Sequence, residues 1–348
     1  MAYTNIDDPS AHFHTQLYTG NGTAIGSGGN VITNNANSGN FKPDWTWHKV
    51  RSTANDHQVY DSSRGVKIRL NTNATNSDFT LNEGLQSFDT NGFTVGSDGG
   101  VNSNNQTYVA WQWKANGGTT ASNSNGSITS TVQANTDAGF SIVTFTGTGA
   151  TTTVGHGLGV KPSLFIIKNR SATSNWFTYT DVIDGSLDFL YLNSTDAKID
   201  SGLSAPTTSV FTVNSSTAPN TNTIIAYCFA EKQGYSKFGS YIGNGNANGA
   251  FIYTGFKPAW VLIKRSDGAT NWRLFDSKRS GFNGDTSQLY PNLTNAEDSA
   301  GDQIDLLSNG FKNRTASGDQ NISGASYIYM AFAENPFTTS TGIPATAR

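Results

Sequence analysis

The apolar positions of this chain fall in short runs separated by Gly, Asn, Ser and Thr, and one arrangement of runs occurs three times. FKPDWTWHK (Phe41 to Lys49) returns as VKPSLFIIK (Val160 to Lys168) and as FKPAWVLIK (Phe256 to Lys264). Pro43, Pro162 and Pro258 open these runs, and six residues beyond each stands Lys49, Lys168 or Lys264. Proline lacks a backbone N–H, so it suits the start of a strand. Trp45, Thr46 and Trp47, then Leu164 to Ile167, then Trp260 to Ile263 form runs apolar on both faces, as in strands covered on both sides.

The surrounding positions extend the pattern to copies of about 95 residues. Each copy opens on an aromatic residue and paired glycines: Tyr18-Thr-Gly20-Asn-Gly22, Phe145-Thr-Gly147-Thr-Gly149 and Tyr241-Ile-Gly243-Asn-Gly245. Glycines so placed supply positive φ at a hairpin. Fourteen residues past each proline stands His57, Trp176 or Trp272, at the head of a returning strand. Asp61 and Asp276 share one offset in that strand, with Arg64 and Arg279 three residues on. The middle copy has Thr180 and Ile183 there instead. A turn and strand then carry Phe93, Phe211 or Phe311, and Asn91-Gly92 and Asn309-Gly310 are hairpin signals. YVAWQWKA, IIAYCFAE and YIYMAFAE close the copies and align Trp113, Phe229 and Phe332. Alternation puts Val109, Trp111 and Trp113 on one face of the first, with Ala110 and Gln112 on the other.

Short strands between turn signals predict an all-β fold: three tandem antiparallel β-sandwiches of jelly-roll or lectin-like type. The expected boundaries are an N-terminal segment and docking arm (1–16), sandwiches at 17–114, 139–233 and 234–337, and a flexible tail (338–348). A Gly/Ser/Thr/Asn-rich linker (115–138) is expected between the first two sandwiches. Short helical turns are expected only around Leu190 to Asp200 and Asn295 to Leu307.

Composition narrows the function classes. Charged residues are 14% of the 348 and the net charge is -3, the wrong sign for a nucleic-acid partner. No apolar run approaches the ~20 residues of a membrane helix. The N-terminus has neither a basic stretch nor an apolar core, so no signal peptide is expected and synthesis in a host cytoplasm follows. The one cysteine, Cys228, sits in an apolar run and reads as a buried thiol.

Enzyme signatures are absent: there is no Walker loop, CxxC, HExxH or GxSxG. Gly155-His156-Gly157-Leu158-Gly159 resembles a glycine-rich oxyanion loop, but it precedes the Lys-Pro strand and reads as a turn. His12 and His14 alternate, so a strand would project both to one face. Three such pairs in a homotrimer would surround one metal; the simpler reading is two surface histidines. Asp181, Asp184 and Asp188 read as turn aspartates, not as a calcium loop. Lys49 with Asp61, and Lys264 with Asp276, lie on strands expected to be neighbours and read as cross-strand ion pairs. Most tryptophans fall at inward positions; Tyr290 and Phe282, outside the repeated frame, are the better candidates for stacking on a glycan.

TNIDDPSAHF, LYTGNG, FKPDWTWHKVRS with YDSSRG, SFDTNGFTVG, YVAWQWKANGGT, AYCFAEKQGYSKFGSYIGNG and YIYMAFAENPF stand in this order from Tyr3 to Phe337. Together they resemble a domain of unknown function common in proteins of marine bacteriophages, including those infecting abundant ocean bacteria. The resemblance implies a virion component grouped with tail or fibre genes, and it carries no catalytic residues to transfer. The middle copy, without the Asp/Arg pair and the Asn-Gly turn, departs most from the pattern.

The expected function is therefore non-enzymatic and without cofactor: a tail-associated fibre or adhesin contributing to host attachment. The alternatives are a capsid decoration or head-fibre protein and a carbohydrate-binding module. Expected partners are other virion proteins and a host surface glycan, with no nucleic acid and no membrane insertion. A homotrimer and a monomer imitating three-fold symmetry both fit.

Overall fold

The computed structural model describes residues 2–280, 283–284, 286–299 and 301–345. The protein is all-β, 43% strand and 3% helix. In the first segment the strands are β1 (Phe13–Thr19), β2 (Asn30–Thr33), β3 (Trp45–Val50), β4 (Gln58–Asp61), β5 (Ile68–Asn71), β6 (Phe79–Thr80), β7 (Leu85–Asp89), β8 (Gly92–Val95) and β9 (Thr107–Trp113). A single turn of helix, α1 (Gly99–Asn102), precedes β9. The second segment holds β10 (Ala121–Asn123), β11 (Ser130–Asn135), β12 (Phe140–Thr146), β13 (Thr152–Gly155), β14 (Leu164–Asn169), β15 (Trp176–Thr180), β16 (Leu187–Tyr191), β17 (Ile199–Leu203), β18 (Val210–Val213) and β19 (Thr223–Phe229). The third holds β20 (Ser236–Ile242), β21 (Phe251–Tyr253), β22 (Phe256–Arg265), β23 (Arg273–Asp276), β24 (Ile304–Leu307), β25 (Gly310–Asn313) and β26 (Ser326–Pro336).

Each segment contributes a larger and a smaller antiparallel sheet. The larger run β1-β9-β3-β4-β5-β6, β10-β11-β12-β19-β14-β15-β16-β17 and β20-β26-β22-β23. The smaller are β2-β8-β7, β13-β18 and β21-β25-β24. In each larger sheet the last strand inserts between the strand that leads into the paired-glycine turn (β1, β12 or β20) and the Lys-Pro strand. Trp113 faces Phe13 and Trp45, Phe229 faces Phe140 and Leu164, and Phe332 faces Ser236 and Trp260.

Alternation then divides the side chains. One face of all three larger sheets enters a single core cluster that contains Trp45, Trp47, Trp111 and Trp113, then Leu164, Ile166, Tyr227 and Phe229, then Trp260, Leu262, Met330 and Phe332. The opposite faces fill separate clusters against the smaller sheets. Phe93 anchors the first with Tyr60 and Ala110, Phe211 the second with Phe165 and Cys228, and Phe311 the third with Val261 and Ala331. Trp113, Phe229 and Phe332 meet one another within the shared core, with ring centroids 5.5 to 6.5 Å apart. Such ring pairs add specific geometry to the area they bury.

The paired-glycine turns divide their work between two positions. Gly22, Gly149 and Gly245 take φ of +67°, +71° and +67°. Gly20, Gly147 and Gly243 instead sit against a carbonyl oxygen that a Cβ would meet at 2.1, 2.2 and 2.3 Å. Only the second glycine answers the need for positive φ; the first answers a close approach.

Several expectations are corrected. Residues 115–138 are not an open linker: β10 and β11 lie there and extend the second larger sheet, with Val132 opposite Val143. Apolar Ile128 and Val132 amid short polar residues are enough to pattern an edge. No helix forms around 190–200, where β16 and β17 pair, nor among the described residues of 295–307, which end in β24. The N-terminal residues are not a free arm: Thr4, Ile6 and Pro9 are buried. Thr4 Oγ1 donates to Gln233 O at 2.7 Å and Tyr3 Oη to Gly255 O at 2.7 Å. The tail is tied back in part, since Thr338 bridges Pro344 and Ser340 N donates to Asp7 at 2.6 Å. Pro43 and Pro162 precede their strands, whereas Pro258 lies inside β22, where the register shifts on both sides of it. Among the described residues no helix is long and apolar enough to cross a membrane.

Candidate functional site

The polar groups that sequence reading singled out converge on the contacts between segments. Lys49, Lys168 and Lys264 end their strands fully buried. Lys49 Nζ donates to Val50 O at 3.0 Å and to Thr294 O, in the third segment, at 3.2 Å. Lys168 Nζ donates to Ser174 O and to Thr75 O, in the first segment, the latter at 2.8 Å. Lys264 Nζ donates to Arg265 O at 2.7 Å and to Thr195 O, in the second segment, at 3.2 Å. The three contacts run from first to third, second to first and third to second, so they close a ring. The same threonine carbonyls accept backbone N–H groups: Asn55 to Thr294 at 2.8 Å, Ser174 to Thr75 at 2.8 Å and Thr270 to Thr195 at 2.9 Å. Burial draws all three ammonium groups down to about 8, while the carbonyl oxygens around them supply the acceptors a buried ammonium needs.

A second ring runs parallel. Trp176 Nε1 donates to Asn71 O at 2.7 Å and Trp272 Nε1 to Tyr191 O at 2.9 Å, each across a seam. His57 holds the corresponding place in the first segment. Its Nδ1 accepts from Trp47 Nε1 at 2.9 Å, which leaves the proton on Nε2. Burial, reinforced by the charge of Lys49, holds His57 well below its ordinary pKa and therefore neutral. Asn73, Asn193 and Asn292 support these residues: their Oδ1 atoms accept from His57 N, Trp176 N and Trp272 N at 2.9, 2.8 and 3.1 Å.

Sequence reading missed that set. Asn73-Ala-Thr75, Asn193-Ser-Thr195 and Asn292-Leu-Thr294 are three N-x-T triplets, each supplying the asparagine and the carbonyl just described. They lie at drifting distances from the Lys-Pro strands in loops of polar residues, so only an alignment anchored on structure brings them into phase.

The expected Lys/Asp ion pairs do not form. Trp45 faces Asp61 and Trp260 faces Asp276, which places Lys49 and Lys264 at the other ends of their strands. Asp61 binds Arg64 and Asp276 binds Arg279 instead, each through Nε to Oδ2 at 2.5 Å with both side chains fully buried. A donor from another segment joins each pair. Tyr227 Oη donates to Asp61 Oδ2 at 2.7 Å and Trp111 Nε1 to Asp276 Oδ2 at 2.9 Å. Burial alone would raise the Asp276 carboxyl, but Arg279 and the hydrogen bonds around it outweigh that and hold it below the usual carboxylate range. Trp111, Tyr227 and Met330 hold corresponding places, two residues before Trp113, Phe229 and Phe332. The middle segment lacks the Asp/Arg pair, and its remaining counterpart, Met330, has no hydrogen to donate.

His12 and His14 do not share a strand, since β1 begins at Phe13. His12 caps a 3-10 turn ahead of β1, near Asn135 Nδ2 (3.2 Å) and edge-on to Tyr235. His14 is buried beside Phe41 and contacts Gln16 Oε1 at 3.3 Å. Among the described residues no group of three or more His, Cys, Asp or Glu converges as metal ligands do. His156 is buried inside a turn, its Nδ1 accepting from Leu158 N at 3.2 Å. Asp181 pairs with Lys161, and Asp184 and Asp188 with Lys198. Burial pushes the Cys228 thiol up. Tyr290 is half-buried with its hydroxyl 3.2 Å from Asp298 Oδ2, and Phe282 lies outside the described residues.

A cleft of about 540 Å³ lies beside the N-terminal residues and is lined by Tyr3, Thr4, His12, Asp137, Lys232 and Gln233 among others. A smaller hollow of about 60 Å³ lies between His14, Asn35, Lys278 and Glu334.

Comparison with curated proteins and with solved structures returned no match. A family model described as a domain of unknown function (DUF7483) matches residues 8–336, and the chain belongs to that family.

Proposed function

We propose that this chain is a non-enzymatic structural protein of a marine phage particle, a tail-associated fibre or adhesin contributing to host attachment. In this reading the three segments are three copies of one β-sandwich, arranged about a pseudo-three-fold axis in a single closed body. The observation that carries the proposal is the ring of buried contacts from Lys49 to Thr294, Lys168 to Thr75 and Lys264 to Thr195. The recurrent charged and aromatic side chains are used up in joining copies, as a rigid architectural part requires. The shared core favours a compact body over a string of spacers. One chain already fills three positions about the axis, so a monomer is the form proposed, in place of a homotrimer.

Quantitative mass spectrometry of purified particles tests the proposal. The expected result is the chain present at a handful to dozens of copies per particle. Hundreds of copies would move it to capsid decoration or a head fibre. Absence from washed particles, with strong binding on a glycan array, would replace the particle role by that of a carbohydrate-binding module.

A further inference from the structure

The outer strand of the second segment, β13, is covered on both sides. β18 pairs with one edge, and residues 126–130 lie along the other. There Ile128 bridges Val154 in parallel, Ile128 N donates to Thr153 O at 3.0 Å, and Ser130 Oγ donates to Gly155 O at 2.8 Å. Ile128 is only 9% exposed as a result. The register opposite the buried phenylalanines makes β13 and β21 counterparts: Val154 faces Phe211 and Ile252 faces Phe311. Phe251 and Tyr253 therefore hold the places of Thr153 and Gly155.

Among the described residues no strand or bridge pairs with β21 besides β25; Tyr3 reaches only its end, its hydroxyl 3.3 Å from Tyr253 Oη and donating to Gly255 O at 2.7 Å. Asn313 N donates to Ala250 O at 3.1 Å and Thr254 N to Asn309 O at 3.0 Å. Antiparallel alternation then turns the backbone groups of Phe251 and Tyr253 away from β25, toward the open side. Their rings are 47% and 54% exposed. β21 carries no lysine, proline or bulge, the devices by which natural edges resist pairing.

We propose that β21 is a docking edge for an extended peptide segment of a partner polypeptide, added in parallel as residues 126–130 are added to β13. The segment it fits is neutral, with small polar residues flanking one β-branched apolar side chain, as in Gly126-Ser127-Ile128-Thr129-Ser130. Backbone hydrogen bonds to Phe251 and Tyr253 set its register, its central side chain falls beside Ile252 as Ile128 does beside Val154, and the two rings lie beside its small flanking residues. This goes beyond the particle reading and holds whether or not the chain is a virion protein.

A synthetic peptide of residues 124–131 titrated into the isotope-labelled full chain tests it by amide chemical shifts. The expected shifts are confined to residues 250–254 and 309–313. Tyr253→Pro removes an outward N–H without touching the ladder to β25 and abolishes them. The double change Phe251→Thr, Tyr253→Gly, which leaves every backbone group in place, weakens binding about tenfold. No shift at millimolar peptide, or equal binding by the double variant, overturns the proposal. So do shifts centred on residues 152–155, which mean exchange with the internal segment. Perturbation of β21 by neutral oligosaccharides and not by the peptide also overturns it and makes the rings a sugar platform.

Discussion

Trp111 Nε1 donates to Asp276 Oδ2 at 2.9 Å, although 165 residues separate the two. Asp276 holds Arg279 on its other side, and both charged side chains are fully buried. The asymmetry between losing a donor and losing a charge sets the first expectation. Trp111→Phe removes one hydrogen bond and should cost about 1–3 kcal/mol. Asp276→Ala leaves the Arg279 guanidinium buried without its counter-charge and should cost about 3–5 kcal/mol. Urea midpoints at pH 7 measure both; equal losses would mean that the ion pair is not the dominant partner.

The middle segment suggests a conversion. Thr180, Ile183 and Met330 meet the requirements of their seam without charge, whereas Asp61, Arg64 and Tyr227 form the charged version between the first two segments. The triple change Asp61→Thr, Arg64→Ile, Tyr227→Met transplants the uncharged version. Replacing a buried ion pair by apolar groups is often close to neutral, so the triple variant should lie within about 2 kcal/mol of the parent. Asp61→Thr alone should lose about 3–5 kcal/mol. Thermal denaturation of the two variants side by side decides it; a triple variant as unstable as the single one would show that the seam requires charge.

These seams show what was legible in the chain and what was not. Lys-Pro strands and closing strands stand out because their apolar runs recur along the chain, and Trp113, Phe229 and Phe332 of the closing strands meet in one core. Lys49 and Asp61 were assigned to one ion pair because they recur together on neighbouring strands. Strand neighbours share a sheet, but their pairing depends on register, and the register puts Trp45 opposite Asp61. Arg64, three residues along a turn from Asp61, was the nearer partner. Asn73, Asn193 and Asn292 were invisible for another reason. A polar triplet in a polar loop has no periodicity, and its partners lie in other segments.

The three seam lysines make stability respond to alkaline pH. Their folded pKa of about 8 lies below the ~10.4 of an unfolded lysine. Between those values the unfolded chain binds more protons, so stability rises with pH. The penalty for burying the charge stands in full below about 8 and is relieved above it. Changing Lys49, Lys168 and Lys264 to Met should remove that rise between pH 8 and 9.5. Melting temperatures across this window test it; a parent protein with no rise would contradict the assignment.

Acid acts through the histidines. Burial lowers the pKa of His12, His14, His48, His57 and His156, His48 to about 3. Unfolded histidine titrates near ~6.5, so below that value the unfolded chain binds more protons. The stability contributed by keeping these rings neutral is present above pH ~6.5 and declines as pH falls toward the folded values, by about 1.4 kcal/mol per unit for each ring that stays neutral. His48→Gln should flatten the dependence between pH 6.5 and 5. Urea midpoints over that interval give the slopes, and an unchanged slope would mean that His48 is not neutral in the folded protein.

The central claim is that the three segments form one closed structural unit through a shared core and a ring of seams. Differential scanning calorimetry of the full chain tests it most directly. The account predicts one transition whose calorimetric and van't Hoff enthalpies agree, because no segment can open without exposing the Trp113, Phe229 and Phe332 cluster. Two or three separable transitions, each following substitutions in a single segment, would contradict it.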